Sequence, residues 1–404
     1  MLSVSQAQAL ILQEARPLPP EAAPVGPAVL GAALAEDVAS DLDMPPYDKA
    51  LMDGYAVRAA DLTDGRATLQ VVEEITAGRV PRHTLGPGQA SRIMTGAPVP
   101  TGADAVVMVE RTRLLDDGRV VVEDRPPQRG ANVLARGREM RRGEVILAAG
   151  AELRPQELGL LAAVGRTEVW IVPAPRLAVL STGDEVVEAA EVPGPGQIRN
   201  SNGPLLTALA ARAGGRPRYL GIARDRLDSL RPLVEEGLRD DVLVLSGGVS
   251  AGKLDLVPGV LQAAGVTAHL HKVEMKPGKP VFFGTRDRDG RRALVFGLPG
   301  NPVSALACFA LFVRPALRRL GGHASANTGP VAATLAEDFA YRTDRPTYHP
   351  ARLELCEGRY AVRPVPWFGS ADLRGLARAN ALLVLPAGDH THQAGGTFPV
   401  VPLD

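Results

Sequence analysis

Lysine is scarce in this chain and is not scattered. Of 45 basic residues only five are lysines, at 49, 253, 272, 276 and 279, and the other 40 are arginines. Three of the five fall in KVEMKPGK at 272–279, broken by a proline and a glycine. An ammonium is a compact point charge with rotatable donors, whereas guanidinium is a planar fork, so the two are not interchangeable. Lys272, Lys276 and Lys279 therefore read as a grip on an anion, a phosphate or an oxyanion, rather than as a solvated basic turn. Three upstream strand-like runs end in polar clusters. STGDE supplies Thr182, Gly183, Asp184 and Glu185, and GIARDR supplies Asp225. SGGVSAGKLD supplies Ser246, Gly247 and Gly248, whose consecutive N–H groups can face an anion, followed by Ser250, Lys253 and Asp255. GLPGNPVSA adds Pro299, Gly300, Asn301 as an N-cap and Pro302 in the first helical turn, which turns free N–H groups and the positive end of a helix toward the same region. Alone, each is an ordinary turn or helix start. Together they imply a phosphate-bearing ligand with a divalent cation, because Mg2+ takes one or two carboxylates plus substrate oxygens.

Elements must bring these clusters to one place. From 176 onward, strand-like runs (RLAVLST, RPRYLGI, DVLVLSG, PVFFGT, ALVFGL) alternate with helical ones (GPLLTALAARAG, DSLRPLVEEGLR, LVPGVLQAAG, and PVSALACFALFVRPALRRLGG as one helix). That alternation predicts βαβ units and a mainly parallel sheet covered on both faces. In such sheets ligands sit outside the carboxyl ends of the strands, where the polar clusters fall. An N-terminal amphipathic helix capped by Ser3 precedes a Gly-punctuated, strand-like stretch at VGPAVLGAALAEDV. A β-rich region runs from about 65 to 147, a short helix covers 155–165, and 328–404 returns to short strands, a small β-barrel or sandwich.

Composition excludes several classes. The chain has 404 residues, 45% of them hydrophobic, enough for two to four packed domains. Formal charge is zero and there are only 2 Trp, 6 Tyr and 8 Phe, so neither a basic footprint nor a stacking platform for nucleic acid is present. No apolar run approaches the ~18 residues of a membrane span. The N-terminus lacks a basic leader, and Cys308 and Cys356 have no ligand spacing. A reducing cytoplasm fits, with no nucleic acid and no membrane as partner. His269 and His271 alternate on one strand face, and His390 and His392 do so in a loop, without the companions that zinc needs.

Taken in order, MDGYAV (52–57), RIMTGAPVPTGADAVV (92–107), STGDE, SGGVSAG, KPGKP and GLPGNPVSA resemble the molybdopterin molybdenumtransferase family, bacterial MoeA and the E domain of gephyrin, over nearly the whole chain. The resemblance implies an α/β multidomain homodimer. Its parts are a discontinuous first domain (1–45 and 141–172), an inserted β-rich domain (46–140), a MogA-like, molybdopterin-binding α/β domain (173–325) and a C-terminal β-barrel-like domain (328–404). It implies a cleft shared between the α/β domain of one subunit and the inserted domain of the other. Matched position by position, Asp53, Thr95, Glu185, Asp225, Asp255, Lys272, Lys276, Pro299, Pro302, Arg352 and Ser370 fall on family functional positions. Glu139 stands in RGRE where an aspartate is usual.

The implied reaction inserts molybdenum from molybdate into the dithiolene of adenylylated molybdopterin, with Mg2+ held by Glu185, Asp225 and Asp255, releasing AMP. A molybdopterin adenylyltransferase would act upstream as a partner. Two alternatives are the adenylyltransferase itself, whose single domain shares the α/β fold, and a non-catalytic scaffold. Long motifs outside the α/β region weigh against the first, and the retained acids and lysines against the second.

Overall fold

The computed structural model describes residues 1–248, 256–325 and 329–403; Ser250, Lys253 and Asp255 lie outside them. The chain divides into two compact units, Met1–Ala35 with Gly150–Pro155 and Glu168–Asp404, and Glu36–Ala149 with Gln156–Thr167.

The smaller unit is built on a six-stranded sheet. Its strands are β1 (Gly54–Val57), β2 (Arg66–Ile75), β3 (Gln89–Ile93), β4 (Ala105–Met108), β5 (Thr112–Leu114) and β6 (Arg119–Glu123), in the order β4-β1-β3-β2-β6-β5. Strand β1 lies between two partners, and all four of its residues are buried. The glycine of MDGYA is a packing requirement, because a Cβ on Gly54 would overlap the Val107 carbonyl oxygen of β4.

In the larger unit a second six-stranded sheet comprises β7 (Arg176–Thr182), β8 (Arg216–Ala223), β9 (Val242–Ser246), β10 (Thr267–Lys272), β11 (Pro280–Arg288) and β12 (Arg291–Leu298), ordered β8-β7-β9-β12-β11-β10. The first four in that order run parallel, and β11 and β10 are antiparallel. Successive residues of a strand point to opposite faces, and here both faces are dry. Leu177, Val179, Val242, Val244, Phe283 and Phe296 enter one core, and Ala178, Leu180, Leu243, Leu245, Phe282 and Val295 the other. This explains why the strands read as nearly continuous apolar runs. Helix α1 (Val4–Glu14) is closed by a capping box between Ser3 and Gln6 and sends Ala7 and Ile11 into the first core. Helix α2 (Pro155–Ala163) belongs from Gln156 on to the smaller unit; in the larger unit α3 is Asn202–Arg212, α4 Leu227–Gly237 and α5 Val257–Ala263. The C-terminal region is a closed five-stranded barrel of β13 (Val331–Leu335), β14 (Thr347–Cys356), β15 (Arg359–Pro364), β16 (Ala381–Leu385) and β17 (Thr397–Pro402). Among the described residues no helix is long and apolar enough to cross a membrane.

Four local expectations are corrected. The run 302–320 is not one α-helix: α6 (Pro302–Cys308) and α7 (Arg314–Leu320) are joined by a π-helical turn at Phe309–Val313. Pro315 has no N–H for the Leu311 carbonyl four residues back, and Gln8 of α1 donates to that oxygen instead, at 2.9 Å. His390 and His392 sit on a strand, Gly388–His392, paired with Phe339–Thr343, rather than in a loop. His269 and His271 do not share a clean face, because the β10 register shifts on both sides of Leu270. Their rings meet Phe283 and Phe282, which belong to opposite cores. The Gly-punctuated stretch contains a 3-10 turn at Pro27–Val29 as well as short strands.

Candidate functional site

Because β7, β8, β9 and β12 are parallel, their carboxyl ends share one edge, and the antiparallel turn from β10 to β11 returns to it. Phe282 pairs with Gly297 and Lys272 with Pro280, which carries KVEMKPGK to the edge where Ser246 and Leu298 end their strands. A cavity of about 390 Å3 opens there. Its walls include Thr182, Gly183, Glu185, Asp225, Ser246, Gly247, Gly248, Pro299, Gly300 and Asn301 of the sequence-predicted set, together with Ser181, Asn200, Asn202 and Pro280.

Three carboxylates converge at one side. The Asp225 N–H donates to Asp184 Oδ1 at 3.1 Å. Desolvation first, then the charges of Asp184 and Glu185, pushes the Asp225 carboxyl above its ordinary range. Arg224 holds the turn beneath them, donating from one guanidinium nitrogen to the carbonyls of Asp184 (3.0 Å) and Val186 (2.8 Å).

The floor is tied by asparagines. Asn202 is buried, and its Nδ2 donates to Ser246 Oγ and to the Gly300 carbonyl, both at 2.7 Å, joining the SGG and PGN turns. Asn200 accepts from Ser181 Oγ (3.1 Å) and Gly203 N–H (3.0 Å) and donates to Tyr219 Oη at 2.6 Å. Burial, with Glu188 beside it, pushes the Tyr219 phenol up to about 12. Nothing in the sequence reading marked Arg224 or Asn202 as site residues; the polar spacing of IRNSN was the available signal for Asn200 and Asn202.

Asn301 begins α6 as expected, but its side chain does not cap the helix. It donates to Ser370 Oγ at 2.8 Å, and the Ser370 carbonyl accepts the Val303 N–H at 3.0 Å. Ser370 thereby joins the cavity rim, and Pro302 is buried behind it. Arg352 is exposed on β14, at 3.4 Å from Glu354, and is not part of the cavity wall.

The lysine turn alternates. Val273 and Met275 are fully buried, whereas Lys272 and Lys279 are exposed. The Lys276 Nζ lies over the Tyr341 ring, 5.6 Å from its centroid, a cation–π contact. Gly278 lies at φ +105°, and a Cβ there would come within 2.6 Å of Cys308 Sγ in α6. Among the described residues, Lys49 is the one lysine in an ion pair; of the three in the turn, Lys276 lies near enough to Asp344 for its charge to help hold that carboxyl below its usual range.

The smaller unit gathers its own polar cluster. Asp53 Oδ1 accepts both the Thr95 N–H (2.6 Å) and its hydroxyl (2.7 Å). These bonds, with the Arg92 charge, hold the Asp53 carboxyl below its usual range. Lys49–Ala50 lies against the TGAP turn, with Gly96 N–H donating to the Ala50 carbonyl at 2.8 Å. Glu139 is 3.6 Å from Lys49 Nζ, so the longer acid of RGRE meets the cation of YDKA.

Three family models match in order: the MoeA N-terminal region (domain I and II) over residues 2–165, a probable molybdopterin binding domain over 178–319, and the MoeA C-terminal region (domain IV) over 332–403. A molybdopterin molybdenumtransferase of Nostoc sp. is 38% identical over 92% of this chain and 86% of its own length. The chain belongs to the molybdopterin molybdenumtransferase family. A Bacillus subtilis relative of the same name is 35% identical over 91% of this chain and 86% of its own. Among solved structures, a molybdopterin biosynthesis MoeA protein from Pyrococcus horikoshii aligns over 100% of both chains with a TM-score of 0.83 and 28% identity. The mixed α/β architecture with a C-terminal barrel is that of the family.

Proposed function

We propose that this chain is the transferase that inserts molybdenum from molybdate into molybdopterin, completing the molybdenum cofactor. The observation that carries this reading is that the carboxyl ends of one sheet bear both a carboxylate cluster at Asp184, Glu185 and Asp225, after β7 and β8, and a turn of lysines in no ion pair among the described residues, after β10 and outside the cavity wall. One substrate is an oxyanion and the other carries phosphate. Exposed Lys272 and Lys279 suit such groups as point charges with freely turning donors. Gly247 and Gly248 line the same cavity, although the Gly247 N–H is spent on the Leu298 carbonyl at 3.0 Å, and Asn202 fixes both turns that bound it. The chain works by holding reactants together and stabilising charge, and no protein nucleophile is needed.

The finer reading takes adenylylated molybdopterin as the form consumed and AMP as the product released. Among the described residues no group of three acids, histidines or cysteines could hold a metal ion, so Mg2+ would rest on two carboxylates and substrate oxygens: Asp225, crowded by two acids, would be relieved by a cation, with Glu185 as second ligand and Asp255 outside the described residues. Such an ion would neutralise phosphate charge against these carboxylates. Further proposals are the four-domain partition, a homodimer in the cytoplasm, a molybdopterin adenylyltransferase as upstream supplier, and a part in substrate handling for Asp53, Thr95, Glu139, Arg352 and Ser370. The test is incubation with adenylylated molybdopterin, Mg2+ and molybdate. Molybdate-dependent AMP release is expected, and ATP-dependent adenylylation of molybdopterin without molybdate would overturn the assignment.

A further inference from the structure

Phe368 stands 93% exposed, more than any other large hydrophobic side chain among the described residues. Single exposed apolar residues are ordinary, but this one is held out by a rigid turn beside the cavity. The Phe368 N–H donates to Asp372 Oδ2 at 3.2 Å, and Asp372 Oδ1 accepts the Gly375 N–H at 2.9 Å. Its neighbour Trp367 packs back against the core and meets His349 at 5.3 Å between ring centroids. Two residues on, Ser370 is bonded to Asn301 of the cavity wall at 2.8 Å. The Phe368 Cα is thus within about 7 Å of Ser370 along the chain, with its ring in water near the rim of a polar cavity.

We propose that Phe368 is the stacking platform for the flat fused heteroaromatic ring of the pterin, setting substrate affinity while the phosphate end lies in the cavity. This rests on the molybdopterin reading above. A cavity walled by carboxylates, serines and glycines offers the pterin no aromatic surface, and Phe368 supplies one. Stacking depends on the ring face rather than on polar pairing, so it adds affinity without touching the reacting atoms.

The experiment uses the full chain and two readouts. Binding of 6-hydroxymethylpterin is followed by its fluorescence. Phe368→Ala is expected to weaken it on the order of tenfold, Phe368→Tyr to retain it, and Phe368→Leu, which keeps apolar area but no ring, to fall with alanine. In molybdate-dependent AMP release, KM for adenylylated molybdopterin rises by a similar factor while kcat stays within about twofold. Unchanged pterin affinity in Phe368→Ala, or leucine binding as well as phenylalanine, overturns the proposal. So does a shift in sedimentation coefficient at constant pterin affinity, which would make the ring a contact between copies. Absent AMP release in the wild type, with ring-dependent pterin binding intact, would instead fail the transferase reading alone.

Discussion

His349 provides a measurable coupling between proton uptake and the stability of the C-terminal region. It is buried on β14, with its ring against Phe339, Tyr341 and Trp367 at centroid distances of 5.1, 5.4 and 5.3 Å. Nδ1 lies 2.8 Å from the Pro350 carbonyl, which can only accept, so the neutral ring carries its proton there. Burial lowers its pKa from 6.5 to about 4, outweighing the Pro350 carbonyl, which favours the protonated ring. The unfolded chain therefore takes up a proton first as pH falls. This contribution to stability is complete above pH 6.5, is lost as pH falls toward 4, and does not change further below that. A displacement of about 2.5 units at 1.36 kcal/mol each amounts to about 3 kcal/mol. His349→Asn keeps a donor for Pro350 but cannot titrate. Denaturant unfolding at pH 7, 6, 5 and 4, read by Trp fluorescence and by amide exchange in the barrel strands, should show the wild type losing about 3 kcal/mol more than the variant across that range. Other titrating groups are common to both proteins and cancel in the difference. Parallel pH profiles would refute the reasoning, whatever constant offset the substitution introduces.

Asp225 works in the opposite direction: its folded pKa is raised, so its ionised form weighs against the fold as pH rises past 3.8. Asp225→Asn should raise Tm at pH 7, with the gain vanishing below about pH 4, while molybdate-dependent AMP release falls; a lower Tm at pH 7 would contradict the crowding. Mg2+ should raise the wild-type Tm more than that of Asp225→Asn, checked by thermal shift with and without the ion. Lys276→Ala should cut AMP release by at least about tenfold, through loss of a charged donor, with an unchanged circular dichroism spectrum. Gly278→Ala should destabilise by about 1–3 kcal/mol in denaturant melts, and adding Cys308→Ala should recover part of that by removing the sulfur in its way.

Legibility from sequence followed the range of the interactions. The parallel strands were readable because burial on both faces leaves an unbroken apolar run, as in VLVLS at 242–246. The turns at their ends were readable because Gly and Asp announce them. What could not be read depends on partners far along the chain. Asn301 looks like a cap until Ser370, 69 residues away, takes its side chain. Asn202 looks like helix-start punctuation until Ser246 and Gly300 fold over it. The helix at 302–320 changes its hydrogen-bonding because Gln8, from the other end of the chain, supplies what Pro315 forbids. Asp389 and Thr391, alternating with His390 and His392, resemble a loop, and pairing with Phe339–Thr343 makes them a strand.

The C-terminal barrel is matched as a separate segment, yet it is stitched into the α/β region by backbone. Lys276 donates its N–H to the Pro346 carbonyl at 2.9 Å and accepts the Tyr348 N–H at 2.7 Å. Ser370 does the same work at the start of α6. Cutting the chain near 329 would therefore not yield a smaller working enzyme. It would strip the lysine turn of its brace and leave α6 with an unmatched first turn. Domains that recombine freely in evolution share side-chain surfaces; these two share main chain, and they would be expected to be inherited, truncated or transplanted only together.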